Sequence, residues 1–204
     1  MTAPVHVPQR RLNGATILLG GLLTAAGYVL EPMTGQDPII VQSSWLIFGG
    51  TVLLLIGLPW FHVGQAARAG ALGWWATVTM CAGLALSQFP AAVIGWADPA
   101  YLYTDAAFHA GAAGTAEFLG LMVLLVGVVL QAVATFRAAV YPRWAAWCLV
   151  GIVVISLICQ FAPALNTAIR FPSENFLLAA LLGAAVLRTP RPVAAPNPVP
   201  VPAA

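Results

Sequence analysis

Long apolar runs separated by short polar breaks dominate the chain. A bilayer core about 30 Å thick needs about 20 apolar residues per crossing helix. The runs supply six candidate spans, near residues 12–30, 43–62, 71–95, 106–136, 144–165 and 173–188. Arg10 and Arg11 precede the first run, and Glu31-Pro32 ends it. A basic start before an apolar stretch also fits a signal peptide. The length of the run favours a retained helix, as do Asn13, Gly20 and Gly21, which read as packing features. The sixth run is the shortest, about 22 Å from Ser173 to Leu187 at helical rise. The expected fold is all-α: a polytopic transmembrane bundle of about six spans. Residues 1–11 form a short N-terminal segment, 12–188 the bundle, and 189–204 a tail. That tail carries Pro190, Pro192, Pro196, Pro198, Pro200 and Pro202, so it is expected to be solvated and polyproline-like.

Charge sharpens this picture. Only 7% of the 204 residues are charged and 61% are apolar, against about 25% charged in a soluble domain. Every basic residue is Arg, and the net charge is +2. A soluble enzyme, a disordered chain and a nucleic-acid binder are all excluded on these grounds. With the N-terminus inside, Arg10, Arg11, Arg68, Arg137, Arg143, Arg188 and Arg191 all fall in inner segments, and Arg170 alone falls outside. This bias predicts a cell-membrane protein with both termini cytoplasmic. Trp60, Trp74, Trp75, Trp144 and Trp147 are expected at the inner interface, and Trp45 and Trp96 at the outer one. Cys81, Cys148 and Cys159 lie in apolar runs and read as small buried hydrophobes.

The remaining polar groups fall at a common depth. Counting about 20 residues from each inner boundary reaches Glu117 from Arg137, and Phe89–Pro90, beside Gln88, from 68–70. The same count reaches Pro163, one turn beyond Gln160, from Arg143, and Glu31 from Arg11. Ionisable groups at membrane depth are costly and mark functional positions. Glu117 is therefore the candidate general acid. The alternative is a structural carboxyl held by Gln88 or Gln160. Small residues around it, Ala106, Ala110 and Gly114 in one row and Ala107, Gly111 and Thr115 in another, predict close helix packing.

Asp105 and His109 share a helix face at i,i+4 and are candidates for tuning Glu117. Equally, Asp105 fits a helix-capping acid and His109 an interfacial residue. Gln88, Gln160, Trp96, Tyr101, Tyr103, Glu31 and Arg170 are the candidate substrate-binding residues around the outer rim. Arg170 is alternatively an i,i+4 partner of Glu174, and Glu31 an interfacial charge. No metal or cofactor is expected. His6 and His62 lie inside and His109 outside, so no axial pair forms. Asp105, His109 and Glu117 would bind a metal only on a bent helix, with Glu117 about 12 Å below His109. No P-loop, nucleophile elbow, His-Glu-Xaa-Xaa-His or Cys-Xaa-Xaa-Cys occurs.

The stretches Gly57-Leu-Pro-Trp-Phe-His-Val-Gly-Gln-Ala-Ala-Arg-Ala-Gly-Ala-Leu-Gly73 and Phe136-Arg-Ala-Ala-Val-Tyr-Pro-Arg-Trp144 resemble inner loops of uncharacterised multi-pass membrane proteins of high-GC bacteria. That family brings no activity with it. In architecture alone, a helical bundle of this size with acids at one rim is similar to the integral membrane terpene cyclases. This likeness implies an acid that protonates an olefin or epoxide of a lipophilic substrate, and it carries over no residue role. Three functions follow as expectations: a membrane cyclase or isomerase using Glu117, a proton-coupled transporter, or a non-catalytic subunit. The expected partners are the bilayer and a lipophilic small molecule.

Overall fold

A computed structural model describes residues 7–30, 39–97, 111–161 and 173–189, and all of the regular structure in them is helical. The described residues form six helices: α1 Val7–Leu30, α2 Ile39–Val63, α3 Ala66–Ala97, α4 Ala112–Ala138, α5 Arg143–Phe161 and α6 Ser173–Arg188. Each packs on its neighbours in sequence, and α6 returns to pack on α1. The helices thus form a closed ring.

Four of them contain stretches long and apolar enough to cross a membrane: Arg11–Leu30, Trp45–Val63, Ala66–Pro90 and Gly114–Ala138. The apolar parts of α5 and α6, Arg143–Ile158 and Asn175–Arg188, are shorter. Large apolar side chains cover the outside of the bundle, among them Leu19, Ile56, Val78, Val126, Val133 and Leu157. In water such a surface would aggregate; in lipid it needs no cover. Trp45, Trp74, Trp75 and Trp147 are also exposed.

Small residues set the helix spacing. A Cβ on Gly20 or Gly50 would strike the facing backbone between α1 and α2, and one on Gly21 would strike Ala180 and Phe176 of α6. Between α3 and α4, Gly83 faces Leu124, Gly120 faces Ser87, and Gly127 faces Met80, all at backbone contact. This order runs antiparallel. Where lipid offers no hydrophobic drive, such close approach is what holds helices together. Antiparallel pairing around the whole ring brings Arg11, Arg68, Arg137, Arg143 and Arg188 to one end of the bundle.

Two backbone features depart from uniform helix. Gly70 (φ 56°, ψ −148°) breaks α3 after its first turn, a conformation open to glycine and costly to other residues. Ala139 adopts φ 48°, ψ 33° as the C-cap of α4, and its N–H donates to Thr135 O at 3.1 Å.

The pattern predicts the fourth span from 106. The described helix instead begins at Ala112, behind an extended Gly111 (φ −89°, ψ 176°). Gly111 offers no side chain to hold the backbone helical or to cap it. Glu117 consequently lies in the second turn of α4, not deep within a long helix. Ala106 and Ala110 of the expected small-residue rows lie outside the described residues.

Candidate functional site

A cavity of about 440 Å³ occupies the middle of the ring. All six helices line it: Tyr28 from α1, Leu54 and Leu58 from α2, Met80 to Gln88 from α3, Gly114 to Val128 from α4, Leu149 to Ser156 from α5, and Asn175 to Leu182 from α6. The lining residues nearest the Arg-bearing end on their helices, Leu58, Met80, Val128, Leu149 and Leu182, form its floor, and its walls are mainly leucine. Polar side chains gather at the opposite end, where Tyr28, Ser87, Gln88, Glu117, Ser156 and Asn175 line it.

The register of α3 against α4 brings Gln88 and Glu117 to the same end of the cavity. With Ser87 opposite Gly120, Gln88 is the next residue on α3 and Glu117 lies one turn before Gly120 on α4. Both are half-buried and both line the cavity. Tyr28 Oη donates to Gln88 Oε1 at 2.7 Å, joining α1 to α3 across the ring. The Tyr28 ring stacks on Phe176, with centroids 5.6 Å apart and planes at 13°. On the far wall, Asn175 Nδ2 donates to Ser156 Oγ at 2.8 Å, and Asn175 Oδ1 is buried with no partner. Phe118 lines the cavity yet is 52% exposed.

Of the residues singled out from sequence, Glu117 and Gln88 meet at this cavity. Gln160 lies on α5 and Trp96 on α3, but their side chains are outside the described residues. So are Asp105, His109, Tyr101, Tyr103, Glu31 and Arg170 altogether. The pattern missed Tyr28, Ser87, Ser156 and Asn175. Asn175 carried the one usable signal, an amide in the first turn of a short apolar helix. Among the described residues no group of three His, Cys, Asp or Glu side chains is placed to hold a metal. Cys81 and Cys148 are free and half-buried.

A second polar cluster lies at the Arg-bearing end, beyond the cavity floor. Thr77 Oγ1 is 2.9 Å from Gly73 O and 3.2 Å from Gln131 Oε1, and it can donate to either. Gln65 Nε2 donates to Thr135 Oγ1 at 3.3 Å. Tyr141 Oη donates to Phe61 O at 2.9 Å while its ring stacks on Phe61 with centroids 4.4 Å apart. These contacts tie the ends of α2 and α4 to the start of α3.

Together the described residues define an all-helical bundle, four of whose helices are apolar enough to cross a membrane, around a mainly apolar central cavity with an acid at one end. Comparison with protein-family models, with curated proteins and with solved structures finds no match.

Proposed function

We propose that the chain is a multi-pass protein of the cell membrane that takes a lipophilic, isoprenoid-type molecule into its central cavity and isomerises or cyclises it, with Glu117 as general acid. One observation carries this reading: a mainly apolar cavity lined by all six helices holds a carboxyl group at its polar end. Its volume is in the range of small-molecule sites, about 300–1,000 Å³. Exposed Phe118 supports a way in from the lipid beside the acid. The grouping of arginines at one end supports placing that end, and both termini, on the cytoplasmic side.

The chemistry closes without a cofactor. Glu117 gives its proton to a carbon–carbon double bond, and a carbocation forms. The aromatic ring of Tyr28 is placed in the lining to stabilise that charge by cation–π attraction. Loss of a neighbouring proton to the Glu117 carboxylate forms a new double bond and restores the acid. The product then has the mass of the substrate. Asp105 and His109 would tune the acid, and Gln88 with Tyr28 would hold the substrate's polar end. Gln160, Trp96, Tyr101, Tyr103, Glu31 and Arg170 complete the proposed rim.

Gentle purification followed by mass spectrometry should find a bound lipophile. Incubating it with the protein should yield an isomer of equal mass, and Glu117→Gln should cut conversion by about 10²- to 10⁴-fold, the usual share of a general acid, without loss of folded protein. Full conversion by that variant sinks the reading. Proton-coupled transport is favoured by one observation, the buried run Thr77, Gln131 and Thr135 beyond the cavity floor. Uptake of the same lipophile into proteoliposomes, driven by a pH gradient and with no isomer formed, would select it.

A further inference from the structure

The polar cluster at the Arg-bearing end closes on itself. His62 lies at the end of α2 and Gln65 in the turn that leads to α3, and the Gln65 N–H donates to His62 O at 2.8 Å. Gln65 bonds Thr135, which lies one turn from Gln131 on the same face of α4. Gln131 meets Thr77, and Thr77 reaches the carbonyl of Gly73 one turn earlier on α3. Gly73 in turn lies against His62, since a Cβ on it would stand 2.8 Å from Nδ1. The circuit therefore joins three helices.

Its side chains are fully withdrawn from the surface: His62 is 6% exposed, Gln65 1% and Gln131 0%. Yet His62 Nδ1, Gln65 Oε1 and Gln131 Nε2 have no hydrogen-bond partner. Among the described residues five buried polar atoms share that condition, and three of the five lie on this one circuit. Buried polar atoms are very rarely left unpaired, and ordered water is their usual partner. The chemistry of the three also selects water. Gln65 Oε1 only accepts, Gln131 Nε2 only donates, and an imidazole Nδ1 does either. No carboxylate belongs to the circuit, so nothing in it neutralises the charge of a hard divalent cation. A molecule that donates and accepts in equal measure fits all three.

We propose that this circuit is an internal hydration site, in which water bridges His62, Gln65 and Gln131. The site sits one helical turn from Met80 and Val128 of the cavity floor, because Thr77 and Gln131 lie three residues from them on the same helices. Water there extends the polar interior from the Arg-bearing end to the floor. This holds whatever the cavity binds.

Two measurements test it. Radiolytic hydroxyl-radical footprinting oxidises buried side chains that touch bound water. On the wild-type chain in detergent or nanodiscs, His62 should be oxidised despite its burial, at several times the rate found in Gln131→Leu. Thermal unfolding of Gln131→Leu in a Thr77→Val background, where the Thr77–Gln131 bond is already gone and Thr77→Val alone is the reference, provides the second measurement. A dry site would lose an unpaired donor, so the variant would melt unchanged or higher. A hydrated site loses one of the water's partners, and the midpoint should fall by about 2–4 °C, the shift expected for a bond's loss in a chain this size. An unoxidised His62 in the wild type overturns the proposal, and so does an unchanged or raised midpoint in the variant. The footprint is read on the natural chain and stands even where the variant does not fold.

Discussion

Gln88 and Gln131 are the same side chain on the two helices of one tight pair, and they live in different surroundings. Gln88, on α3, is half-buried, faces a cavity and accepts a bond from Tyr28, which arrives from the other side of the ring. Gln131, on α4, is wholly buried against Thr77, with its Nε2 unpartnered. Between them the glycines Gly83, Gly120 and Gly127 press α3 and α4 together at backbone contact. What separates the two amides is the third helix. At the Arg-bearing end, His62 of α2 lies against Gly73 and Gln65 of the following turn bonds Thr135, one turn from Gln131, while at the other end α1 sends Tyr28 across. An amide under close-packed helices holds structure; an amide facing open space is free to hold a ligand.

The sharpest way to break this comparison is to part the pair on which both regions depend. Gly120→Leu puts a branched side chain where even a Cβ meets the Ser87 backbone. Backbone cannot yield as a flexible side chain does, so the cost should reach about 3 kcal/mol or more. The expected outcome is loss of the monodisperse folded protein in size-exclusion chromatography. A variant that melts like the wild type would show that α3 and α4 are not held by this contact.

A smaller test separates the two amides. Gln88→Leu and Tyr28→Phe each remove the same α1–α3 bond, and interhelical hydrogen bonds in membrane proteins contribute about 0.6 kcal/mol, up to about 1.7. Each variant should lower the unfolding midpoint by no more than a few degrees, and the double variant should add little to either single one, because one bond is lost in all three. Affinity for the cavity's lipophile should fall more than stability does. Strictly additive losses in the double variant would mean that the two residues act separately.

The same physics decides how much of this could be read in advance. Six helical elements were legible because lipid strips charge from the chain, and each surviving break is conspicuous. Glu117 and Gln88 drew attention through a count of 1.5 Å per residue along their helices, and both line the cavity. Which face a helix turns inward was not legible. In a bundle covered by lipid the outside is as apolar as the inside, so α2 and α3 are apolar all round and periodicity says nothing of packing. Tyr28 and Asn175 were passed over for that reason, as were Gln65, Thr77 and Thr135, since neutral polar residues near span ends look interfacial. The described start of α4 turns on a single residue, Gly111, whose extended backbone no hydropathy pattern records.

The smallest expected effect lies in the link that leaves the buried amide's helix. Ala139 closes α4 in the left-handed region at φ 48° with its side chain exposed, and two residues on, Tyr141 stacks on Phe61. Outside glycine this conformation costs about 1–2 kcal/mol. Glycine relieves it, and gives back about 0.4–1 kcal/mol through the greater freedom of the unfolded chain. Ala139→Gly should therefore stabilise by about 0.5 kcal/mol, a rise in midpoint of about 1–2 °C. Binding at the cavity should not change, because the relief falls at the end where the helices are already close. If ligand affinity shifted with it, the two ends would be mechanically coupled through α4, and the division between a structural amide and a ligand-facing one would no longer hold.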